Sequence, residues 1–289
     1  MKRILLICAV VLLNINSAYA QPTGWDGVEK VLGRKGTVQG EMFKIAFQRT
    51  DLSVKVGEVS VEPGLALTSW IGFKEMGQQA MMMGDLVLLE NEVAPVTAKL
   101  VENGVSLTAI HNHLIGSTPV VMYLHFSGEG NQEKLAHAMR STLAVTRTPL
   151  ETPAPSVAPA TAADWTKVEA ILGKTGLKKG NLLQVGFPRK EKILEKGMEV
   201  PSYLGMATGI NLQMVGNKAA TTGDFILLAN EVNPVVRALV SNGITVTAIH
   251  SHMLYESPRF FFLHFWGYDQ PEKLAIGLKA ALDVTNSVK

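Results

Sequence analysis

Cysteine is almost missing from this sequence: Cys8 is the only one among 289 residues. It lies in the apolar run Ile4 to Leu13, which follows two basic residues and precedes Ala18-Tyr19-Ala20, a small-x-small signal-peptidase site. We therefore interpret residues 1–20 as a cleaved secretory signal peptide, too short to remain as a membrane anchor. The mature chain then has no thiol, which excludes disulfide bonds, cysteine metal ligands and a cysteine nucleophile.

An excess of charge of either sign is also lacking. Without Lys2 and Arg3, the 27 lysines and arginines fall to 25, which equals the 25 aspartates and glutamates. No basic stripe with interleaved aromatic residues is present, so a nucleic-acid partner is not expected. No apolar run after the signal reaches the roughly 18–20 residues of a spanning helix, so no transmembrane segment is expected in the mature chain. The sequence predicts an exported protein, periplasmic or secreted.

Several common catalytic motifs are missing too. The sequence has no Gly-x-Ser-x-Gly, no P-loop and no Gly-x-Gly-x-x-Gly. Serine-nucleophile and nucleotide chemistry therefore have no support here.

The mature chain is an internal duplication. Gly84 to Val96 matches Gly223 to Val235 at nine of 13 positions. Between the copies, Thr148 to Ala163 is rich in Pro, Ala, Ser and Thr, which is typical of a semi-extended linker. We therefore predict two tandem homologous domains, residues 21–147 and 164–289, joined by the linker 148–163.

Each repeat alternates strand-like and helical stretches. In the first repeat, Glu41–Arg49, Ala66–Phe73 and Asp85–Leu89 are strand-like. We expect a helix of about three turns capped by Asn91, and a closing helix over Gln132–Leu143. Each repeat is then an α+β domain with a mostly antiparallel sheet and flanking helices.

Six of the seven histidines belong to a repeated pattern. They are His111, His113 and His125 and, 139 residues further on, His250, His252 and His264. Each His-x-His ends a strand-like run, so its two rings should share one face, about 6.6 Å apart. A second strand follows within about six residues, and a hairpin would bring His125 roughly opposite His111. Three imidazoles per repeat would suit Zn²⁺ and leave a coordination position open for water or substrate.

The glutamates near these strands are the candidate catalytic residues. Glu92 and Glu231 follow the expected helix cap in each repeat, where a carboxylate also complements the helix dipole. Glu256 follows the second His-x-His by four residues. We propose one of these as the proton-transfer group, because a metal-activated water needs a nearby base. Asp85 and Asp224 follow glycines at the start of a strand, and we expect a turn role for them.

Zinc is the default ion for imidazole ligands, and copper is the less favoured one. Thioethers such as those of Met81, Met82 and Met83 favour Cu(I), but consecutive methionines cannot all face one site on a strand. The seventh histidine, His137, has Ile276 as its counterpart, and we expect it to be structural or at the surface.

With these motifs, the sequence resembles the LppY/LpqO family of bacterial envelope proteins, a duplicated domain of unknown function. The resemblance rests on Gly-Asp-x-x-Leu-Leu-x-Asn-Glu-Val-x-Pro-Val, on Thr-Ala-Ile-His-x-His and on the Leu-His-Phe of the second strand, in both repeats. It covers nearly all of the mature chain. It implies secretion and a duplicated domain, and no particular activity.

These observations predict a secreted or periplasmic protein with two pseudo-equivalent three-histidine sites for a divalent metal, acting as a metal-dependent hydrolase. A non-catalytic module that binds a metal or an unknown small-molecule or envelope ligand is the alternative. A third hypothesis is a structural protein whose histidines hydrogen-bond internally. The sequence leaves open whether the two repeats form one composite site or two.

Overall fold

A computed structural model describes residues 24–151 and 162–289. The predicted signal peptide, residues 1–20, and most of the predicted linker lie outside these residues. The predicted domain boundaries stay predictions. In the two described stretches, no helix has both the length and the apolarity to cross a membrane.

The two repeats have the same order of helices and strands. The first contains α1 (Asp26–Leu32), β1 (Thr37–Gln39), β2 (Met42–Gln48), β3 (Lys55–Val56), β4 (Val59–Ser60), α2 (Pro63–Ala66), β5 (Thr68–Met76), β6 (Gln79–Leu89), α3 (Glu90–Glu102), β7 (Ser106–His111), β8 (Ser117–Thr118), β9 (Val121–Gly130) and α4 (Gln132–Leu143). The second contains α5 (Thr166–Leu172), β10 (Leu177–Lys179), β11 (Leu182–Pro188), β12 (Leu194–Glu195), β13 (Met198–Glu199), a 3₁₀ turn (Ser202–Leu204), β14 (Ala207–Val215), β15 (Lys218–Leu227), α6 (Ala229–Ser241), β16 (Thr245–His250), β17 (Glu256–Ser257), β18 (Phe261–Asp269) and α7 (Pro271–Asp283).

Each repeat forms one antiparallel six-stranded sheet. The strand orders are β1-β2-β5-β6-β9-β7 and β10-β11-β14-β15-β18-β16, so the two sheets have the same topology. Two small sheets, β4-β3-β8 and β13-β12-β17, lie beside them. The predicted α+β class, with tandem repeats of antiparallel sheet and flanking helices, is confirmed.

Side chains alternate along each strand, so one face of each sheet packs against the helices and the other face points away from them. Phe43, Ile45 and Phe47 of β2 are fully buried in the core under α1, α3 and α4, and each contributes about 1.5–3 kcal/mol by burial. The intervening Lys44 and Ala46 face away from these helices and line a cavity shared with the second repeat. The molecule therefore has four layers in the order helices, sheet, sheet, helices.

The first repeat reaches across to the second through residues 50–67, here called the first arm. Val59 and Leu65 of this arm pack in one apolar cluster with Leu182 of the second repeat. The buried Gln213 amide satisfies both of its ends on the arm, since it accepts from Glu62 N–H at 2.8 Å and donates to a second backbone group.

The second repeat contacts the first through residues 190–206, here called the second arm. Leu204 and Met206 of this arm pack against Met81 and Met83 of the first repeat. The Lys74 ammonium donates to the backbone of the same arm at 2.8 Å. Each arm therefore packs against the opposite repeat, and the two arms together hold the repeats in contact.

Strand β5 is Thr68–Met76 rather than the predicted Ala66–Phe73, and two other element ends differ from the prediction for a physical reason. Helix α4 has the predicted bounds, but α3 is capped at Leu89 rather than Asn91, because the Glu92 carboxylate accepts the Leu89 N–H at 2.9 Å. Strand β6 begins at Gln79, six residues before the predicted start, because Met81 and Met83 are buried against the second arm.

Candidate metal centre

The six repeated histidines meet in one cluster between the two sheets. The rings form three close pairs, two stacked and one tilted, and every pair takes one ring from each repeat. The pairs, each with ring centroids 3.7 Å apart, are His111 with His250, His113 with His264, and His125 with His252. The structure therefore joins the two three-histidine sets into one composite group related by an approximate twofold axis.

The hairpin that positions these rings differs in register from the prediction. Strands β7 and β9 are antiparallel neighbours, as expected, but a bulge at Thr108 places His125 opposite Ala109 and His111 opposite Tyr123. His113 lies beyond the end of β7 rather than within the strand. The rings still converge, because His111 lies 4.9 Å from both His113 and His125 by ring centroid.

Backbone carbonyls fix the tautomer of two of the histidines. The Nδ1 of His125 lies 3.2 Å from Gly84 O, and the Nδ1 of His264 lies 2.9 Å from Gly223 O. A carbonyl oxygen can only accept, so each Nδ1 carries the proton and donates it. Each Nε2 then carries no proton, and its lone pair faces the cluster. Histidines that bind metal ions are commonly oriented in this way, with one ring nitrogen donating a hydrogen bond and the other free to bind the metal.

Two ring nitrogens of the second repeat lie close enough to share a proton. His250 Nε2 lies 2.8 Å from His264 Nε2, while the Nδ1 atoms of both rings lie within hydrogen-bond distance of backbone oxygens. Burial lowers the pKa of His250 to about 4 and that of His264 to about 3, so both rings are neutral at neutral pH. Because His264 carries its proton on Nδ1, His250 donates from Nε2 to His264 Nε2 when no metal ion is bound, and a metal ion would replace that proton.

Asp85 and Asp224 belong to the cluster, which the sequence analysis missed. Both lie inside strands, β6 and β15, so the turn role expected for them is wrong. Asp85 Oδ2 is 3.8 Å from His113 Nε2, and Asp224 Oδ2 is 3.8 Å from His252 Nε2. The signal was present in the sequence, because the same aspartate interrupts the same apolar strand in both repeats.

Burial leaves these carboxylates short of partners. It raises the pKa of both Asp85 and Asp224 well above the ordinary value, and the nearby Asp224 raises that of Asp85 further. One oxygen of each carboxylate, and the Nε2 atoms of His125 and His252, are buried and have no hydrogen-bond partner within residues 24–151 and 162–289. Unpaired buried acceptors are costly, and Asp85 and His252 each belong to a group of side chains that could share a cation.

The glycines of the repeated Gly-Asp pair are required by close backbone approach. A Cβ on Gly84 would lie 2.2 Å from the backbone oxygen of Trp70, and one on Gly223 would lie 2.0 Å from that of Gly209. Glycine lets the strands meet here, and its own carbonyl is then placed to accept the histidine Nδ1–H.

The three glutamates predicted as catalytic are not brought to the cluster. Glu92 pairs with the buried Arg49 at 2.7 Å, and Glu231 pairs with Arg189 at 2.8 Å. Glu256 pairs with a neighbouring arginine and lies beside the second arm. In the described residues these carboxylates hold helix starts and an arm in place.

Two groups of side chains have ligand atoms close enough to share an ion. The first is His111, His250, His252 and His264, and the second is Asp85, His111 and His113, with the atoms of each group within 4.8 Å of one another. Both groups are drawn from imidazole and carboxylate, which suit zinc and similar divalent ions. His137 is exposed on α4, and the three consecutive methionines are buried in apolar clusters.

A cavity of about 920 Å³ opens onto the cluster. Its buried end is formed by side chains from both repeats, namely His113, His125, His252, Asp85 and Asp224. Its side walls come from β2 and β5 of the first repeat and from β11 and β14 of the second. The cluster is therefore within reach of a small molecule from solvent.

A known family matches both repeats. The family described as Domain of Unknown Function (DUF1259) matches residues 26–145 and 166–284. No curated protein matches the chain in sequence.

Two solved structures show a distant likeness. A trimeric bacterial microcompartment shell protein, PduB, is 12% identical over 88% of this chain and 95% of its own, with a TM-score of 0.24. A double-ringed trimeric shell protein of the RMM microcompartment is 9% identical over 75% of this chain and 87% of its own, with a TM-score of 0.19. Scores this low carry no argument about fold or function.

Proposed function

This chain belongs to the family described as Domain of Unknown Function (DUF1259), of which it carries two copies, and we propose that the copies together bind a divalent transition metal in one composite centre. Two groups of ligand atoms carry the proposal, the first from His111, His250, His252 and His264 and the second from Asp85, His111 and His113, with the atoms of each group within 4.8 Å of one another. Without a cation, one oxygen of Asp85 and the Nε2 of His252 would have no partner among the described residues.

Zinc is the ion that the donor set favours. The candidate ligands are imidazole nitrogens and carboxylate oxygens, with no thiolate, and histidine is a common zinc ligand. Copper held by thioethers lacks support, because Met81 and Met83 are packed against the second arm and Met82 lies in the core of the first repeat.

Elemental analysis tests the proposal. Purified untagged protein, dialysed against zinc and then against buffer, should retain about one or two zinc ions per chain. His250→Ala should lose most of this metal, because His250 belongs to the larger ligand group. His137→Ala is the matched control and should retain it, since this ring is exposed and remote. Retention of zinc by His250→Ala, or no zinc in the wild type, would refute the composite centre.

Metal-dependent hydrolysis is the second candidate, and the cavity is the observation that favours it. A purely structural metal site is closed, whereas this cluster forms the end of a cavity large enough for a substrate. Asp85 and Asp224, rather than the predicted glutamates, are the carboxylates placed to hold or accept a proton there.

A chromogenic assay separates catalysis from binding. Nitrophenyl esters and nitrophenyl phosphates should be hydrolysed by the zinc-loaded protein, and this activity should disappear on chelation and in His250→Ala. His137→Ala should keep the activity. If the protein retains zinc but hydrolyses these compounds no faster than free zinc does, the hydrolase proposal is refuted and the non-catalytic binding module is supported.

We also propose an envelope location and a relation to the LppY/LpqO proteins. The signal-like residues 1–20 and the repeated motifs support this proposal. Cell fractionation followed by N-terminal sequencing should find the protein outside the cytoplasm and beginning at Gln21. A cytoplasmic protein that still begins at Met1 would contradict it.

A further inference from the structure

The cavity over the cluster is asymmetric, although the repeats that form it are alike. One wall carries Lys44 and Trp70 from β2 and β5. The equivalent positions on the facing wall, in β11 and β14, are Gln184 and Gly209. At these equivalent positions the first repeat therefore offers a cation and a large aromatic ring, and the second repeat offers neither.

Among the described residues, the ammonium of Lys44 has no ion-pair partner and contacts aromatic rings instead. Its ammonium lies 4.0 Å from the centre of the Trp70 ring and 5.8 Å from that of Tyr203. Among the described residues it makes no hydrogen bond and has no carboxylate oxygen within 4.0 Å. Burial lowers its pKa to about 8, against the opposing attraction of Asp85. A half-buried ammonium with free donors is a site for an anion.

The other polar groups of the cavity add no second cation at this depth. The side-chain amides of Gln184 and Asn211 donate to the first arm, at 3.0 Å to Gly64 O and 3.3 Å to Leu65 O, and so close the wall. The remaining charges of the lining are the exposed Lys179, the half-buried Glu62 and the two aspartates of the cluster. Phosphate sites usually gather several cations or a bidentate arginine, whereas one lysine suits a carboxylate.

The volume and the apolar lining describe the rest of the ligand. About 920 Å³ lies within the usual range for small-molecule sites. Trp70 and Leu65 of the first repeat and Leu182 of the second are apolar residues of the lining. A body that is apolar or aromatic would bury its surface there.

We propose that the cavity binds a small organic carboxylate, with the carboxylate paired to Lys44 and an apolar body held among Trp70, Leu65 and Leu182. The inference names the class of molecule that would reach the metal ion, and in that respect it rests on the proposed metal centre. The Lys44 contact itself requires no metal ion, so the two can fail separately.

Calorimetric titration with 2-naphthoate and its neutral isostere 2-naphthamide tests the pairing. In both chelator-treated and zinc-loaded protein, 2-naphthoate should bind with a Kd at least tenfold lower than that of the amide. Lys44→Met should weaken 2-naphthoate at least tenfold and leave the amide unchanged. Lys134→Met removes the same charge from an exposed site on α4 and should change neither titration.

A second variant tests the cavity rather than the charge. A Cβ on Gly209 would meet no atom within 4 Å, so Gly209→Leu should fold normally and fill space opposite Trp70. Both probes should then lose at least tenfold in affinity. Unchanged binding in this variant, equal affinity of the two probes, insensitivity to Lys44→Met, or no binding of 2-naphthoate would each overturn the inference.

Zinc content, measured on the same samples, separates the two proposals. Protein that binds 2-naphthoate through Lys44 but retains no zinc would refute the metal centre and support the carboxylate site. Protein that retains zinc but binds 2-naphthoate without any dependence on Lys44 would refute the carboxylate site and leave the metal centre standing.

Discussion

Glu92→Gln should destabilise the protein without removing metal. The Glu92 carboxylate accepts from Arg49 Nη1 at 2.7 Å and Nη2 at 3.2 Å, and from the N–H groups of Leu89 and Arg147, each at 2.9 Å. Arg49 is 0% exposed, and Asp51 is its remaining carboxylate partner. The substitution therefore leaves a buried guanidinium with half of its counter-charge.

The magnitude follows from the burial of this pair. Removing one partner of a buried ion pair costs about 3–5 kcal/mol, and the remaining Asp51 places this case near the lower value. In a protein of this size about 1 kcal/mol lowers Tm by about 2–4 °C, so Tm should fall by about 6–12 °C. Glu231→Gln should behave alike, because Arg189 and Glu191 repeat the same arrangement.

Scanning calorimetry and zinc analysis on the same preparation check this prediction. Glu90→Gln is the matched control, since Glu90 lies in the same first helical turn but is exposed, and its Tm should stay within about 1 °C of the wild type. An unchanged Tm in Glu92→Gln, or a loss of zinc at temperatures where the variant is folded, would refute the structural role assigned here and restore the catalytic one.

Three further predictions follow from the same contacts. Gly84→Ala should lower the free energy of unfolding by at least about 1–3 kcal/mol in chemical denaturation, because its Cβ would press on the backbone of β5, whereas Gly186→Ala meets open space and should be tolerated. The double variant Asp85→Asn with Asp224→Asn should raise the Tm of chelator-treated protein, because it removes buried carboxylates. It should also lower the zinc content of protein that has been dialysed against zinc. A lower Tm of the chelator-treated variant would contradict this prediction. Burial raises the pKa of Glu195, and the opposing glutamate of β17 raises it further. The protein is therefore more stable at low pH, where this carboxyl is protonated, and loses stability as the pH rises above the ordinary value of 4.5. Glu195→Gln should remove part of the fall in stability that denaturation measures between pH 5 and 8.

The fold was largely predictable because its signals are local. The alternation of Phe43, Ile45 and Phe47 fixes the buried face of β2, and the spacing of apolar residues in Gln132–Leu143 fixes the helix. The duplication then carries each assignment to the second repeat. The ends of elements were less predictable, since the cap of α3 comes from Glu92, a side chain three residues inside the helix.

The composite cluster could be predicted only in part, because it depends on how two sheets dock. The spacing of His111, His113 and His125 is a property of one repeat, whereas each histidine pair with centroids 3.7 Å apart joins one repeat to the other. The bulge at Thr108 shifts the register by one residue and is not marked by glycine or proline. Asp85 is recognisable in the sequence as a charged residue inside an apolar run. Its place within a strand was not predicted, because β6 begins six residues before the expected start.

The joining of both copies in one polypeptide has a consequence for the shape of ligand that the molecule can distinguish. Two separate, identical subunits around a twofold axis would have to present the same side chain on both walls of a central chamber. Here a lysine faces a glutamine and a tryptophan faces a glycine, so the head and the tail of a bound compound would meet different surroundings. Covalent fusion thus permits an oriented ligand on an axis where a symmetric dimer would bind it equally well in either direction.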